Sequence, residues 1–530
     1  MRKTRALAGA SAMSVGVLLL TGCVSGGETS AGPSDGATFV YGLTEDPGNL
    51  NPFLTTANAA REVTGFLYDT LVYFDPETGK AMPWLAESWE ESTTEVVYQL
   101  KEGVTCADGT ELTPEVVANN FNWVTDAANE SAVVGVLVPT DTQATFDNEA
   151  GTVTVTVDTP TSFLLAQTGG LEMMCQSALD DPTSVTTASA GTGLYTLTEA
   201  VTGDHYTLEK RDGYTWGPEG GNSSDTEGVP STVEIRVVEN VSTAANLLMS
   251  GDLNAAEITG PDEDRVASAT DAGRRMPMIQ GQWYFSQIDG KPTADPSVRL
   301  ALAHAINFEA LTQVITDGKG YRAERLAMMA PNPCPYDATS GATPEYDVAE
   351  AERLLDEAGW VKGADGVRAK DGQPLTLSML FATSETMSAA MELAQQEFAE
   401  IGVTLELDGG DTNYKLSKLY EEANIGSFDI ADAAVNYFLV SALTPWNSGP
   451  LPPGGRNSGG IANAEFDTKV AEAGTMAGAE SCDTWMEAEQ ALYRAADTIP
   501  FAAQDTVVYL NGFELALPNT LNGPSVRVKG

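Results

Sequence analysis

The sequence predicts an α/β protein with two lobes. Two strand–helix–strand patterns, at residues 233–258 and 375–407, support this prediction. In each pattern two β-like segments flank a helical one, an order that normally gives parallel strands joined by a crossover helix. Residues 152–157, TVTVTV, alternate β-branched side chains with period two and add a strand outside both patterns. Because the two α/β patterns lie far apart in the chain, we expect one in each lobe.

The N-terminus has the features of a bacterial export signal. Three basic residues precede a short apolar run that ends in Leu-Thr-Gly-Cys at Cys23. This ending resembles a lipobox, in which the cysteine is lipidated and becomes the mature N-terminus. We therefore expect a lipoprotein-type signal peptide at residues 1–22 and a flexible tether at residues 23–37 that starts with the lipid-bearing Cys23. The alternative is an ordinary cleaved signal that ends in a cysteine.

The next part of the chain predicts short elements in series. A strand at 39–43 leads into a proline-containing loop, and the apolar residues at 66–71 predict a helix. A turn at 75–79 and two strands follow. Pro114 suits the first turn of a later helix, which Thr113 can cap. None of these elements carries reactive groups, so they indicate architecture rather than catalysis.

The remaining patterns continue this order along the chain. Residues 191–193 form a glycine-rich turn before a hairpin whose own turn lies at 203–204. The longest helical pattern covers residues 295–315. A capping-box spacing and a terminal glycine bound another helix at 347–359.

Composition and motifs argue against nucleic-acid binding and against catalysis. The chain has 28 basic and 75 acidic residues, a net charge of −47, which repels nucleic acid. Its two histidines, His205 and His304, are far apart, and no G-x-S-x-G, H-E-x-x-H, P-loop or calcium-loop spacing is present. We expect no nucleic-acid partner, no catalytic residue, no metal and no cofactor. A secreted hydrolase is the alternative class.

Residues 68–117 carry a resemblance to a known family. They read YDTLVYFDPETGKAMPWLAESW and, after a short interval, YQLKEGVTCADGTELTPEVV. GTGLY at 191–195 and YDVAEAERLLDEAGW at 346–360 continue the same series in the same order. The chain resembles the extracellular solute-binding proteins of ABC importers, in the group that handles peptides, nickel and opines, family 5.

The resemblance implies the arrangement of the domains. It implies a periplasmic-binding-protein-like α/β fold of type II, cluster C, with two lobes and an additional inserted domain. Domain I would comprise residues 38–74, 191–283 and 501–530, domain II residues 75–190, and domain III residues 284–500. The two lobes would close over the solute by a hinge motion.

The resemblance also implies function, partners and location. We expect a monomeric, lipid-anchored substrate-binding protein on the extracellular face of the bacterial cytoplasmic membrane. It would capture a peptide-like or other small solute and deliver it to the permease and ATPase subunits of an ABC importer. Two alternatives are an oligosaccharide-binding member of the same family and a lipid-anchored sensor.

The resemblance further indicates candidate ligand-binding residues. These are Thr55, Thr56, Trp283, Tyr284, Phe285, Tyr414, Asn436, Tyr437, Phe438 and Trp446. Two departures bear on the ligand. Phe438 stands where oligopeptide binders carry an aspartate that pairs with the peptide's amino group, and Asp432 stands where some relatives carry arginine. An aromatic, uncharged pocket suits a sugar or an apolar ligand as well as a peptide.

Four cysteines are left for disulfides if Cys23 carries a lipid. Export to an oxidising exterior favours disulfides, and three pairings of these four residues are open. We favour Cys106–Cys175 and Cys334–Cys482, because each pair then lies within one of the domains that the resemblance implies.

Overall fold

The computed structural model describes residues 36–530. The predictions for the signal peptide at 1–22, for the lipid on Cys23 and for most of the tether at 23–37 therefore fall outside the described residues. Within residues 36–530, every helix is too short or too polar to cross a membrane.

The secondary structure alternates strands and helices along the whole described chain. The strands are β1 (Thr38–Leu43), β2 (Val72–Phe74), β3 (Ala81–Pro83), β4 (Ala86–Glu91), β5 (Glu95–Leu100), β6 (Gln143–Asp147), β7 (Thr152–Thr156), β8 (Tyr195–Val201), β9 (His205–Lys210), β10 (Thr232–Val237), β11 (Ala255–Glu257), β12 (Asp271–Phe285), β13 (Tyr321–Arg322), β14 (Val361–Lys362), β15 (Arg368–Lys370), β16 (Gln373–Pro374), β17 (Thr376–Ala382), β18 (Thr404–Gly410), β19 (Ile430–Asp432), β20 (Thr498–Leu510), β21 (Phe513–Leu515) and β22 (Val526–Val528). The helices are α1 (Asn58–Leu67), α2 (Pro114–Thr125), α3 (Leu164–Gly169), α4 (Gln176–Asp180), α5 (Val241–Ser250), α6 (Glu263–Ala267), α7 (Pro296–Ala305), α8 (Phe308–Ile315), α9 (Val348–Glu357), α10 (Glu385–Glu400), α11 (Thr412–Tyr420), α12 (Thr444–Asn447), α13 (Ala464–Ala473) and α14 (Cys482–Arg494).

One mixed sheet of eleven strands runs through both lobes. Its order is β18-β17-β19-β12-β20-β11-β1-β10-β9-β8, with β13 paired to β20 beside this path. The long antiparallel strands β12 and β20 connect the two lobes. Along β20, Val508 and Leu510 belong to the hydrophobic core of the first lobe, whereas Ile499 and Phe501 belong to the core of the second. The predicted domain boundaries at 283/284 and 500/501 thus fall inside two continuous strands.

A second sheet, ordered β4-β5-β7-β6, occupies the region predicted as the inserted domain. Helix α2 covers it, and the Thr113 side chain accepts the Val116 N–H at the start of that helix, as predicted. Buried residues of this sheet, including Tyr98 and Val153, share one hydrophobic cluster with Phe39 of β1. The region therefore has its own sheet, but its core is continuous with that of the first lobe.

The two predicted α/β units form differently. In the second unit, β17 and β18 are paired directly in parallel, and α10 connects them, as predicted. In the first unit, β10 and β11 are not neighbours, because β1 lies between them and pairs in parallel with both. The expectation of a direct β10–β11 pair is therefore wrong.

Two helix predictions are also wrong. The helix predicted at 66–71 is α1, which ends at Leu67, where the Leu67 carbonyl accepts the Gly193 N–H and the chain becomes extended. The single helix predicted at 295–315 is interrupted at Ile306, whose backbone is extended. Asn307 then starts α8 by accepting the Ala310 N–H. A strong cap inside an apolar pattern divides it into two helices.

Both favoured disulfides are present. The structure joins Cys106 to Cys175 and Cys334 to Cys482. The first links the turn after β5 to the start of α4, and the second links the segment after β13 to the start of α14. Each disulfide thus fixes an irregular segment to a helix.

Candidate functional site

A loop after β19 lies where the two lobes meet, and we call residues 433–447 the site loop. The Ala433 N–H donates to the Gln282 carbonyl at 3.0 Å. The Asn436 side chain accepts the Ile279 N–H at 2.7 Å and donates to the Ile279 carbonyl at 3.2 Å. These bonds fix the loop alongside β12, one of the two strands that connect the lobes.

The site loop contributes to an aromatic cluster, which we define as Tyr420, Tyr437, Trp446 and Arg456. The indole Nε1 of Trp446 donates to the Tyr420 hydroxyl at 2.9 Å, and the Tyr437 ring centroid lies 5.6 Å from that of Trp446. The exposed Arg456 guanidinium lies 5.0 Å from the Trp446 ring centroid. The cluster therefore combines broad apolar faces with one solvent-accessible cation.

Two further predicted residues pack near this cluster. Tyr414 and Phe438 are half-buried and lie against the same hydrophobic core as Tyr437. The Tyr414 hydroxyl donates to Asp408 Oδ1 at 2.6 Å, and Lys418 Nζ lies 5.3 Å from its ring centroid. That hydrogen bond holds the Tyr414 ring in a fixed orientation and raises the pKa of its phenol.

The three consecutive aromatic residues of β12 do not act together. Trp283 and Phe285 are fully buried on the face covered by helices, in one core with Phe398. Tyr284 points to the opposite face, into the core beneath the site loop. Alternation of side chains along a strand explains the difference. All three are therefore core residues in this structure, and none of them belongs to the proposed ligand contacts.

Thr55 and Thr56 lie in the loop after β1 and are partly or fully exposed. The Thr55 hydroxyl accepts the Ala57 N–H at 3.1 Å, a local turn bond. Within residues 36–530, no hydrogen bond joins either threonine to the site loop. The structure therefore brings together Asn436, Tyr437 and Trp446, but it does not bring these two threonines into the aromatic cluster.

A buried carboxylate supports the site loop from behind. Glu489 accepts hydrogen bonds from the Leu326 N–H at 3.0 Å and from the Tyr336 hydroxyl at 2.9 Å. Its burial raises the pKa of its carboxyl group. The segment that it anchors also donates the Met329 N–H to the Tyr437 carbonyl at 3.3 Å. Glu489 thus positions a neighbour of Tyr437.

Asp432, at the end of β19, is 2% exposed. Its Oδ1 accepts the Gln282 N–H at 3.1 Å. Burial raises the pKa of this carboxyl group to about 6, against the lowering effects of Lys415 and of the Gln282 hydrogen bond. Because the group is enclosed in the sheet, it does not replace the missing carboxylate partner for a ligand's ammonium group.

Sequence reasoning missed two members of the aromatic cluster. Arg456 lies in the segment PPGGRNSGG, which has no periodic pattern, and Tyr420 ends a short helix. Neither residue has a local signal for ligand contact, because each reaches Trp446 only through the tertiary fold. The contact between Arg456 and Trp446 can be recognised only once the three-dimensional structure is known.

The histidines lie outside the aromatic cluster. His205, on β9, lies 3.1 Å from Asp204 and 3.6 Å from Glu199, and the hydrogen bond to Asp204 raises the pKa of its imidazole. The ring of His304 is hydrogen-bonded to the Glu345 carbonyl at 2.6 Å. Among residues 36–530, no three His, Cys, Asp or Glu side chains are grouped so that they could hold a metal ion.

The chain matches a family model and curated proteins along most of its length. The model of bacterial extracellular solute-binding proteins, family 5, middle region, matches residues 80–447. Protein XP55 of Streptomyces lividans is 27% identical over 441 residues, which cover 80% of this chain and 76% of that protein. The glutathione-binding protein GsiB of Pectobacterium atrosepticum is 25% identical, over 89% of this chain and 90% of its own.

Solved structures share the fold. The ABC transporter substrate-binding protein CtaP from Listeria monocytogenes superposes with a TM-score of 0.75 at 20% identity. The match covers 93% of this chain and all of that one. Identity at this level establishes a common fold and leaves ligand choice to the residues of each site.

Proposed function

Because the chain belongs to the bacterial extracellular solute-binding proteins of family 5, we propose that it captures a peptide-like or other small solute between its lobes. The captured solute would then pass to the permease of an ABC importer. The observation that carries the proposal is the aromatic cluster, which the site loop holds against a strand that connects the lobes. Ligand pockets occur preferentially at such junctions, lined by aromatic side chains with a few polar groups.

The cluster supports a ligand with an apolar or aromatic body. The partly exposed Tyr437 ring, which packs on the largely buried Trp446, offers a stacking face, and Arg456 offers a donor for a carboxylate or a hydroxyl group. An oligosaccharide is the second candidate, because Phe438 stands where oligopeptide binders carry the aspartate that pairs with a peptide's ammonium group. Asp432 is enclosed in the sheet and does not supply this carboxylate.

The N-terminal sequence supports anchoring on the outer face of the cytoplasmic membrane. In this proposal Cys23 carries the lipid, and the protein acts as a monomer, by binding rather than by turnover. Replacement Cys23→Ser should release the protein from the membrane fraction into the medium. Continued membrane association of that variant would contradict the anchor.

The ligand can be identified by native mass spectrometry of the protein purified from its host. We expect a small solute to co-purify and to dissociate when the protein is unfolded. Isothermal titration calorimetry with the identified solute then gives its affinity. Chemical conversion of the bound solute by the pure protein would contradict the binding function.

Tyr437→Leu tests the placement of the site. We expect an affinity loss of about tenfold or more, because an aromatic residue at the centre of a site typically contributes 1–2 kcal/mol or more. Trp360→Leu is the matched control, since Trp360 is a half-buried aromatic residue of the same lobe with Lys370 Nζ 6.0 Å from its ring centroid. Equal losses in both variants would place the ligand elsewhere.

A further inference from the structure

A separate cavity opens on the second lobe, away from the aromatic cluster. Its volume is about 640 Å³, within the range of small-molecule sites. The start of α8 and the loop 339–346 form its walls, and β13 and the first residues of β20 form its floor. None of the residues that line it belongs to the site loop or to the aromatic cluster.

Exposed aromatic rings are concentrated at this cavity. Among the described residues, three aromatic side chains are exposed, namely Phe146 at 45%, Tyr321 at 39% and Tyr346 at 49%. Tyr321 and Tyr346 both line the cavity, with Phe308 and Phe501 deeper inside. Large exposed aromatic groups next to a concave surface mark binding sites more often than isolated ones do.

The surroundings of the two tyrosines are acidic. Glu309 and Glu345 line the cavity and are exposed. Burial and the nearby carboxylates of Glu397 and Glu400 raise the pKa of the Tyr346 phenol. Around Tyr321, burial, the hydrogen bond to Asp505 and the charge of Glu324 act in the same direction. Acidic groups therefore lie beside both rings.

The basic residue in the lining does not offset this charge. Both terminal nitrogens of Arg322 donate to Asp337, at 3.2 and 2.5 Å. The guanidinium also bonds the Thr339 hydroxyl. By contrast, the buried hydroxyl oxygen of Thr343, another lining residue, has no hydrogen-bond partner among the described residues. The cavity thus presents carboxylates and aromatic faces.

We propose that this cavity is a second binding site and that it takes a small organic cation with an apolar body, such as an aromatic or quaternary amine. Carboxylates at the rim attract the cation, and low-dielectric walls concentrate that field. The faces of Tyr321 and Tyr346 stabilise the cation directly, and Phe308 and Phe501 contact its apolar part. Anionic ligands are disfavoured by the same charges.

A ligand-observed NMR titration tests the site with benzyltrimethylammonium chloride and with benzyl alcohol as its uncharged counterpart. We expect saturable binding of the cation at millimolar concentration or tighter, and binding of the alcohol about two- to fivefold weaker or more, because a cation–π contact at an exposed ring contributes about that factor. Added salt should weaken the binding of the cation and leave the binding of the alcohol unchanged. Equal affinity for the two probes, or no saturation by the cation, would overturn the proposal.

Variants locate the binding. Tyr346→Ala should weaken binding of the cation by about two- to fivefold, the range that one cation–π contact supplies at an exposed ring. Phe146→Ala is the control, because it removes a similarly exposed aromatic ring outside the cavity. Tyr437→Leu should leave the cation's affinity unchanged. If Tyr346→Ala has no effect, or if Tyr437→Leu abolishes binding, the second site is refuted whether or not the aromatic cluster binds solute.

Discussion

Asp432 illustrates how a buried carboxyl group links site architecture to pH. Its pKa in the folded protein is about 6, above the ordinary value near 4 that it has in the unfolded chain. The folded state therefore favours the neutral acid. The stability that this group contributes is complete below about pH 4 and is lost as the pH rises to about 6.

Asp432→Asn should remove the loss of stability that accompanies ionisation of this buried carboxyl group. The asparagine oxygen can still accept the Gln282 N–H, while the buried negative charge disappears. We expect the free energy of unfolding at pH 7.5 to rise by roughly 1–3 kcal/mol and to change little at pH 4. Urea unfolding at both pH values measures the difference. Equal destabilisation at the two pH values would show that the amide cannot replace the carboxyl group in either of its charge states, and it would contradict the expected pH dependence.

Residue-scale prediction from sequence succeeded where one local pattern carries the information. The alternation rule alone could have separated Tyr284 from Trp283 and Phe285, because neighbours in a strand face opposite sides. No local rule places Arg456 over Trp446, since the glycine-rich segment around it has no preferred structure by itself. The site residues that sequence missed are those defined by contacts between distant segments.

At the scale of elements, strong local signals were reliable and pairing partners were not. The cap at Thr113 and the Asp347 cap of α9 formed as predicted. The Asp347 N–H, however, donates to the His304 carbonyl rather than taking part in a reciprocal capping box. Similarly, β1 inserted between β10 and β11, because a sheet is ordered by the packing of both its faces.

The two disulfides should differ in their effect on binding. Each closes a long loop, so replacing either pair by serine should lower the free energy of unfolding by about 2–5 kcal/mol. Only Cys334–Cys482 restrains the segment that bonds Tyr437 through Met329. We therefore expect Cys334→Ser/Cys482→Ser to weaken solute binding, and Cys106→Ser/Cys175→Ser to leave it nearly unchanged.

Calorimetry at a temperature where both double variants are folded measures this difference. The Cys106–Cys175 variant serves as the control for general destabilisation. If both variants lose affinity equally, the disulfide near the site has no specific role in positioning Tyr437.

At the scale of the whole molecule, the family and fold class predicted from residues 68–117 are confirmed by the family match and the solved relatives. That segment identifies the family, yet it lies mostly in the second sheet, away from the aromatic cluster. Many packed residues together determine the fold, whereas a few side chains in a loop determine which ligand binds. This separation explains why sequence determined the architecture better than the site.

The continuity of the sheet predicts how the lobes move. In the described part of the chain, β12 and β20 are the two strands that cross between the cores, and β12 has register shifts near Gly281. The inserted region also contacts the second lobe directly. The Ser162 hydroxyl donates to the Ala473 carbonyl at 2.8 Å and accepts from Trp485 Nε1 at 3.1 Å. Two connecting strands permit a hinge, and contacts such as these can stabilise a closed arrangement.

Saturating solute should therefore reduce the radius of gyration in small-angle scattering, from a value near the roughly 24 Å expected of a compact chain of this length. The solute acts only through tighter binding to the closed state, so the shift depends on contacts made by both lobes. Tyr437→Leu at the same solute concentration is the control and should stay more open. An unchanged radius in the unmodified protein, with binding verified by calorimetry, would mean that the two connecting strands form a rigid junction.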